Sequence, residues 1–96
     1  MLALCPTIAH ALTAEQCAFT ATVVEHIAKA HQNEVPLAKL LPAVEALVTG
    51  ESARAAARRI VVAVYQEPRY RTDEAKQRFI NEWRDRVHAE CLKGLD

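Results

Sequence analysis

The sequence predicts an all-α protein, a compact bundle of four to five helices. Three observations carry that prediction. Ala, Val and Leu supply most of a 51% hydrophobic share, and two glycines in 96 residues are too few for a turn-rich β fold. Apolar residues recur three and four apart over long stretches, the period of a helix with one buried face. Helix-start and helix-stop residues bracket those stretches.

The first eleven residues stand apart. Met1-Leu2-Ala3-Leu4-Cys5-Pro6-Thr7-Ile8 is apolar and leads into Ala9-His10-Ala11, an A-x-A cleavage pattern, without a basic stretch before it. Residues 1–11 read as an N-terminal arm or a signal-peptide remnant, and residues 12–96 as a single helical domain. Within that domain Thr13-Ala14-Glu15-Gln16 is a capping box. It opens a helix over about 14–32. Cys17, Ala21, Val24, Ala28 and His31 form one stripe; Phe19, Val23, Ile27 and Ala30 form an adjoining one. A face this wide is expected to touch two or more neighbours. Asn33 closes the helix.

Val35-Pro36 resets the chain, with Pro36 suited to a first helical position. Leu37, Leu40 and Leu41 follow. Pro42 would clash with the carbonyl of Ala38 in a continuing helix. The expectation is a kink, or a short turn and a new helix from Pro42 carrying Val44, Leu47 and Val48 to near Gly50. Glu51 or Ser52 then opens a helix over about 53–66. Ala53, Ala56, Ala57, Ile60, Val61 and Val64 face inward, and Arg54, Arg58 and Arg59 outward. Pro68 stops it, and Arg69-Tyr70-Arg71 is a loop. Thr72 caps the last helix, Asp73 and Glu74 suit its positive end, and Ala75, Phe79, Trp83 and Val87 step by four, joined by Ile80 and Cys91. Gly94 is expected to close it in a left-handed conformation.

The formal net charge is zero, which argues against general nucleic-acid or membrane binding. The charge is uneven: −3 over residues 1–53, +4 over 54–86 and −1 over 87–96. The +4 segment reads either as a basic partner surface or as a solvated face with internal ion pairs. No aromatic-interleaved basic run points to nucleic acid. No stretch approaches the ~20 apolar residues that span a membrane.

Cys17 and Cys91 fall on the inward stripes of the first and last long helices. If those helices pack antiparallel, the two lie at the same end of the bundle. A disulfide there would close about 75 residues and contribute roughly 4 kcal/mol. The alternative is two small buried thiols in a reduced core. Metal is weakly signalled: His88 and Cys91 share a helix face, but there is no C-x-x-C pair. His26 and His31 diverge, and each His reads as a surface or boundary residue. No nucleotide-binding, nucleophile-elbow or HExxH pattern signals an enzyme, and no cofactor is implied. Trp83 reads as core and Tyr65 as packed at a helix edge. Tyr70, flanked by Arg69 and Arg71, is the best candidate for an exposed contact, because Tyr and Arg dominate binding hot spots.

One pattern runs through much of the domain. An early Cys opens the first helix, a Val35-Pro36 step follows, and Val64-Tyr65-Gln66-Glu67-Pro68 and Thr72-x-Glu74-Ala75 lead into a final helix ending in Cys91. This resembles small exported helical proteins of bacteria, some of them carried on mobile elements. The resemblance implies a periplasmic or secreted domain with Cys17 paired to Cys91, and no defined activity. The expectation is a non-enzymatic domain that binds another protein through Arg54, Arg58, Arg69, Tyr70 and Arg71. A homodimer through apolar surface at Val23 or Val62 is a further option. The main rival is an intracellular inhibitor or regulator from a mobile element, contacting a nucleoprotein complex through the same face, its cysteines free. A zinc- or thiol-dependent enzyme is the third reading.

Overall fold

The computed structural model describes residues 13–94. The arm expected over residues 1–11, with Cys5, lies outside the described residues. Thr13 opens helix α1 (Ala14–Gln32) with a complete capping box. Its hydroxyl accepts the Gln16 N–H at 3.0 Å, and Gln16 Oε1 accepts the Thr13 N–H at 2.8 Å. The helix ends at Asn33, but the chain reverses one residue later. Glu34 takes a left-handed φ of 65°. Its N–H bonds to His31 O, and the Val35 N–H bonds back to Ala30 O. Those two bonds make a Schellman closure with glutamate where glycine is usual.

Helix α2 (Leu37–Glu45) follows, with Pro36 as its N-cap rather than its first residue. Pro42 sits inside it, so of the two alternatives the new helix from Pro42 does not form and the chain stays helical through the proline. The helix continues only to Glu45 and then tightens: Leu47 N–H bonds to Val44 O, and Val48 N–H to Glu45 O. The physical reason is packing. Leu40, Leu41 and Val44 all reach the core from this one helix, and that offsets the bond Pro42 cannot donate to Ala38. Leu47, expected in the lost helix, is exposed.

Gly50, at φ 95°, turns the chain into α3 (Glu51–Tyr65), and Thr72 caps α4 (Asp73–Lys93) by accepting the Ala75 N–H at 3.1 Å. Gly94 corrects an expectation: its φ is −77°, so α4 ends right-handed. Among the described residues all regular structure is helical. The helices α1 and α4 run antiparallel as the main pair. Cys17 near the start of α1 is joined by a disulfide to Cys91 near the end of α4, with Cα atoms 5.6 Å apart. At the other end His31 of α1 meets Phe79 of α4. The α2–α3 hairpin packs on the C-terminal half of α1. Ile27, Ala28, Val44, Val61, Val64, Phe79 and Ile80 form the core between them, with Trp83 packed partly buried against it. Burying each of the larger side chains contributes roughly 1.5–3 kcal/mol.

Candidate partner-binding surface

The five residues expected to contact a partner fall into two groups with different surroundings. Arg54 and Arg58 lie in the first half of α3 and are engaged within the molecule. Arg58 Nη1 donates to Glu45 Oε2 and Nη2 to Glu51 Oε2, both at 3.0 Å. Glu45 is the last residue of α2, so this fork ties the end of α2 to the start of α3. The bonds to Glu45 and then Glu51 raise the Arg58 guanidinium above its ordinary value. Arg54 lies 3.9 Å from Glu51.

Arg69, Tyr70 and Arg71 lie beyond the end of α3 at Tyr65, itself about 10 Å along the helix axis from Arg58. All three are exposed. Among the described residues, Arg69 and Arg71 have no carboxylate within ion-pairing distance. The backbone beneath them is held firmly. Gln32, only 2% exposed, reads the loop like a strand partner. Its Nε2 donates to Pro68 O at 3.1 Å, and its Oε1 accepts the Tyr70 N–H at 2.8 Å. His31 Nε2–H donates to Glu67 O at 2.6 Å. The Tyr70 ring leans on Phe79 at 5.8 Å between centroids, which leaves its outer edge to solvent.

His31 corrects the expectation that every His is a surface or boundary residue. It is buried, with its ring 4.5 Å from that of Tyr65. Tyr65 donates its hydroxyl to Val35 O at 2.7 Å, and burial raises its phenol above the ordinary value while Arg69 opposes that shift. Together these bonds join three chain segments at one end of the bundle. Beside them an open groove of about 580 Å³ runs between the α1–α2 and α3–α4 connections. Its walls include Val35, Pro36, Leu37, Tyr65, Pro68 and Arg69.

Sequence reasoning placed His31 on the apolar stripe of α1 but missed its bond to the Glu67 carbonyl, and missed Gln32. One signal was present: Gln32 lies four residues after Ala28, so it continues the apolar stripe as a polar residue at the helix end. The other candidates lie apart. Val62 is exposed on α3, while Val23 is packed against the core. Among the described residues no three His, Cys, Asp or Glu side chains cluster as metal ligands, and no helix is long and apolar enough to cross a membrane. No protein-family model, curated protein or solved structure matches the chain.

Proposed function

We propose that this is a bacterial exported, non-enzymatic helical domain that binds another protein through the Arg69-Tyr70-Arg71 loop, with Arg54 and Arg58 at the flank. The observation that carries the reading is the pinned loop. Gln32 and His31 bond the backbone at Glu67, Pro68 and Tyr70, while among the described residues the side chains of Arg69 and Arg71 have no carboxylate partner. A loop already ordered before binding gives up less entropy when a partner docks. Tyr and Arg are also the side chains that most often dominate interface energetics. The disulfide is compatible with the oxidising side of a bacterial inner membrane, in the periplasm or outside the cell.

A photo-crosslinker at Tyr70, used in the native host with cell fractionation, tests this. The expected result is a discrete adduct in the envelope or medium fraction. It should be lost in the Arg69→Glu/Arg71→Glu variant with helix content and thermal stability retained. Charge reversal at Arg58, Arg69 and Arg71 that left every partner bound would refute the assignment.

A further inference from the structure

We infer that the Cys17–Cys91 bridge is a directional thiol–disulfide exchange site, entered at the Cys91 sulfur by a thiol of a dithiol partner. The two ends of the bridge differ in access and in position on the helix dipoles; access sets the direction, and the dipoles offset part of what burial costs the departing Cys17 thiolate. Cys17 is 0% exposed, whereas Cys91 is partly exposed. An attacking thiolate must reach one sulfur along the S–S axis, so the open side is attacked and the buried sulfur leaves.

The electrostatic setting agrees with that choice of leaving group. The Cys17 N–H closes the first helical bond of α1, to Thr13 O, so its side chain sits at the positive end of a 19-residue helix. That helix end favours a thiolate, against the cost of burying it. Cys91 lies in the last turn of α4, where the helix end is negative. The charges nearest it along α4 are Glu90 and Lys93, and these pair with each other at 3.4 Å. A thiolate that is better stabilised departs faster.

The step balances. The incoming thiolate forms a bond to Cys91 Sγ, the S–S bond breaks, and Cys17 departs as a thiolate that takes up a proton. The partner's second thiol, deprotonated, then attacks the partner's own sulfur in the mixed disulfide and releases Cys91. The protein gains two electrons and two protons, and the dithiol partner leaves as its disulfide.

The fold gives this reaction a local consequence. The core cluster takes Ile27, Ala28, Phe79 and Ile80 from α1 and α4, all toward the far end from the bridge, with buried Val24 next to it on α1. Around the bridge the buried side chains of α1 are small, Cys17 and Ala21, and Phe19 and Leu92 point to solvent. Opening the bridge therefore frees the first turns of α1 and the last turns of α4 while the core persists.

The test uses the oxidised full-length chain and glutathione as probe, under mildly alkaline conditions, with a rapid alkylating quench. Cleavage after glutamate separates Cys5, Cys17 and Cys91 for mass analysis, because Glu15 and Glu90 intervene. The expected result is a glutathione adduct on Cys91 exceeding that on Cys17 by at least about tenfold, with Cys17 alkylated. An equal or reversed ratio overturns the direction. No adduct at a glutathione concentration that opens the bridge in the urea-unfolded chain overturns the site. Amide exchange after reduction should show protection lost in residues 14–22 and 85–93 and kept at Ile27, Val61, Val64 and Ile80. Uniform loss would make the bridge a global staple and overturn the local opening.

Discussion

Gln32→Ala should loosen the Arg69-Tyr70-Arg71 loop and lower global stability by a measurable amount. The wild-type side chain makes two bonds to loop backbone, at 2.8 and 3.1 Å, from a position only 2% exposed. A net hydrogen bond contributes about 1 kcal/mol. The freed Tyr70 N–H and Pro68 carbonyl belong to exposed residues, so water can reach them and the larger penalty for an orphaned buried group does not apply. The loss is therefore about 2 kcal/mol, or roughly 8–16 °C in melting temperature for a domain of this size. Urea and thermal unfolding with the disulfide intact measure it. Amide exchange at Tyr70 gives the local readout and should accelerate more than exchange at Val61 or Val64. Gln32→Glu sharpens the test. A carboxylate still accepts from Tyr70 but cannot donate to Pro68. The deficit relative to wild type should thus be largest at neutral pH and shrink as pH falls and the carboxyl gains its proton. A melting temperature within about 2 °C of wild type in Gln32→Ala, with Tyr70 exchange unchanged, would refute the pinning.

Three further outcomes follow from the same geometry. Replacing both bridge cysteines, Cys17→Ala with Cys91→Ala, removes a cross-link across a sequence separation of 74. Chain entropy sets that loss at about 4.5 kcal/mol, read as a lower urea midpoint; a loss under about 1 kcal/mol would mean the unfolded chain is already compact. Tyr65→Phe deletes the 2.7 Å bond to Val35 O and should cost about 1 kcal/mol. Because burial raises the folded phenol, its contribution is full below the ordinary value of 10.0 and is lost as pH rises through the folded value; ultraviolet titration against Tyr65→Phe checks this. Glu34→Gly relieves a left-handed residue at φ 65° and should stabilise the domain by up to about 1 kcal/mol, visible as a raised melting temperature.

The starts of α1 and α4 were legible because capping is local chemistry. Thr13 with Gln16, and Thr72 with Ala75, satisfy first-turn donors within three residues, and both bonds are present. The Cys17–Cys91 disulfide was expected on the condition that the first and last helices pack antiparallel, and both the packing and the bridge are present. Helix ends were harder. Asn33 and Gly94 cap α1 and α4 as expected, yet Gly94 stays right-handed and the left-handed position falls to Glu34. At Pro42 the alternative of a new helix fails for a related reason. The proline rule weighs one lost bond and one clash, whereas the fold also weighs Leu40, Leu41 and Val44 reaching the core from one helix.

The candidate site divides along the same line. Its exposed side chains were legible from Arg69-Tyr70-Arg71 lying between a helix stop and a helix cap. Its supports were not, because Gln32 reaches Pro68 and Tyr70 across 36 and 38 residues. No local period encodes a side chain bonding to a distant loop backbone. The charge count left a partner surface or internal ion pairs open, and the ion pairs are present at Arg54 and Arg58. A net +4 over residues 54–86 adds every arginine equally, but availability depends on whether a carboxylate comes close in space. Glu45 lies outside that segment, and α2 carries it to 3.0 Å from Arg58. Arg58 is thereby committed to holding α2 against α3, and a partner seeking it must compete with two carboxylates. Arg69 and Arg71 face no such competitor among the described residues. Charge reversal should therefore separate the two groups: at Arg58 it should act mainly on stability, and at Arg69 and Arg71 mainly on binding.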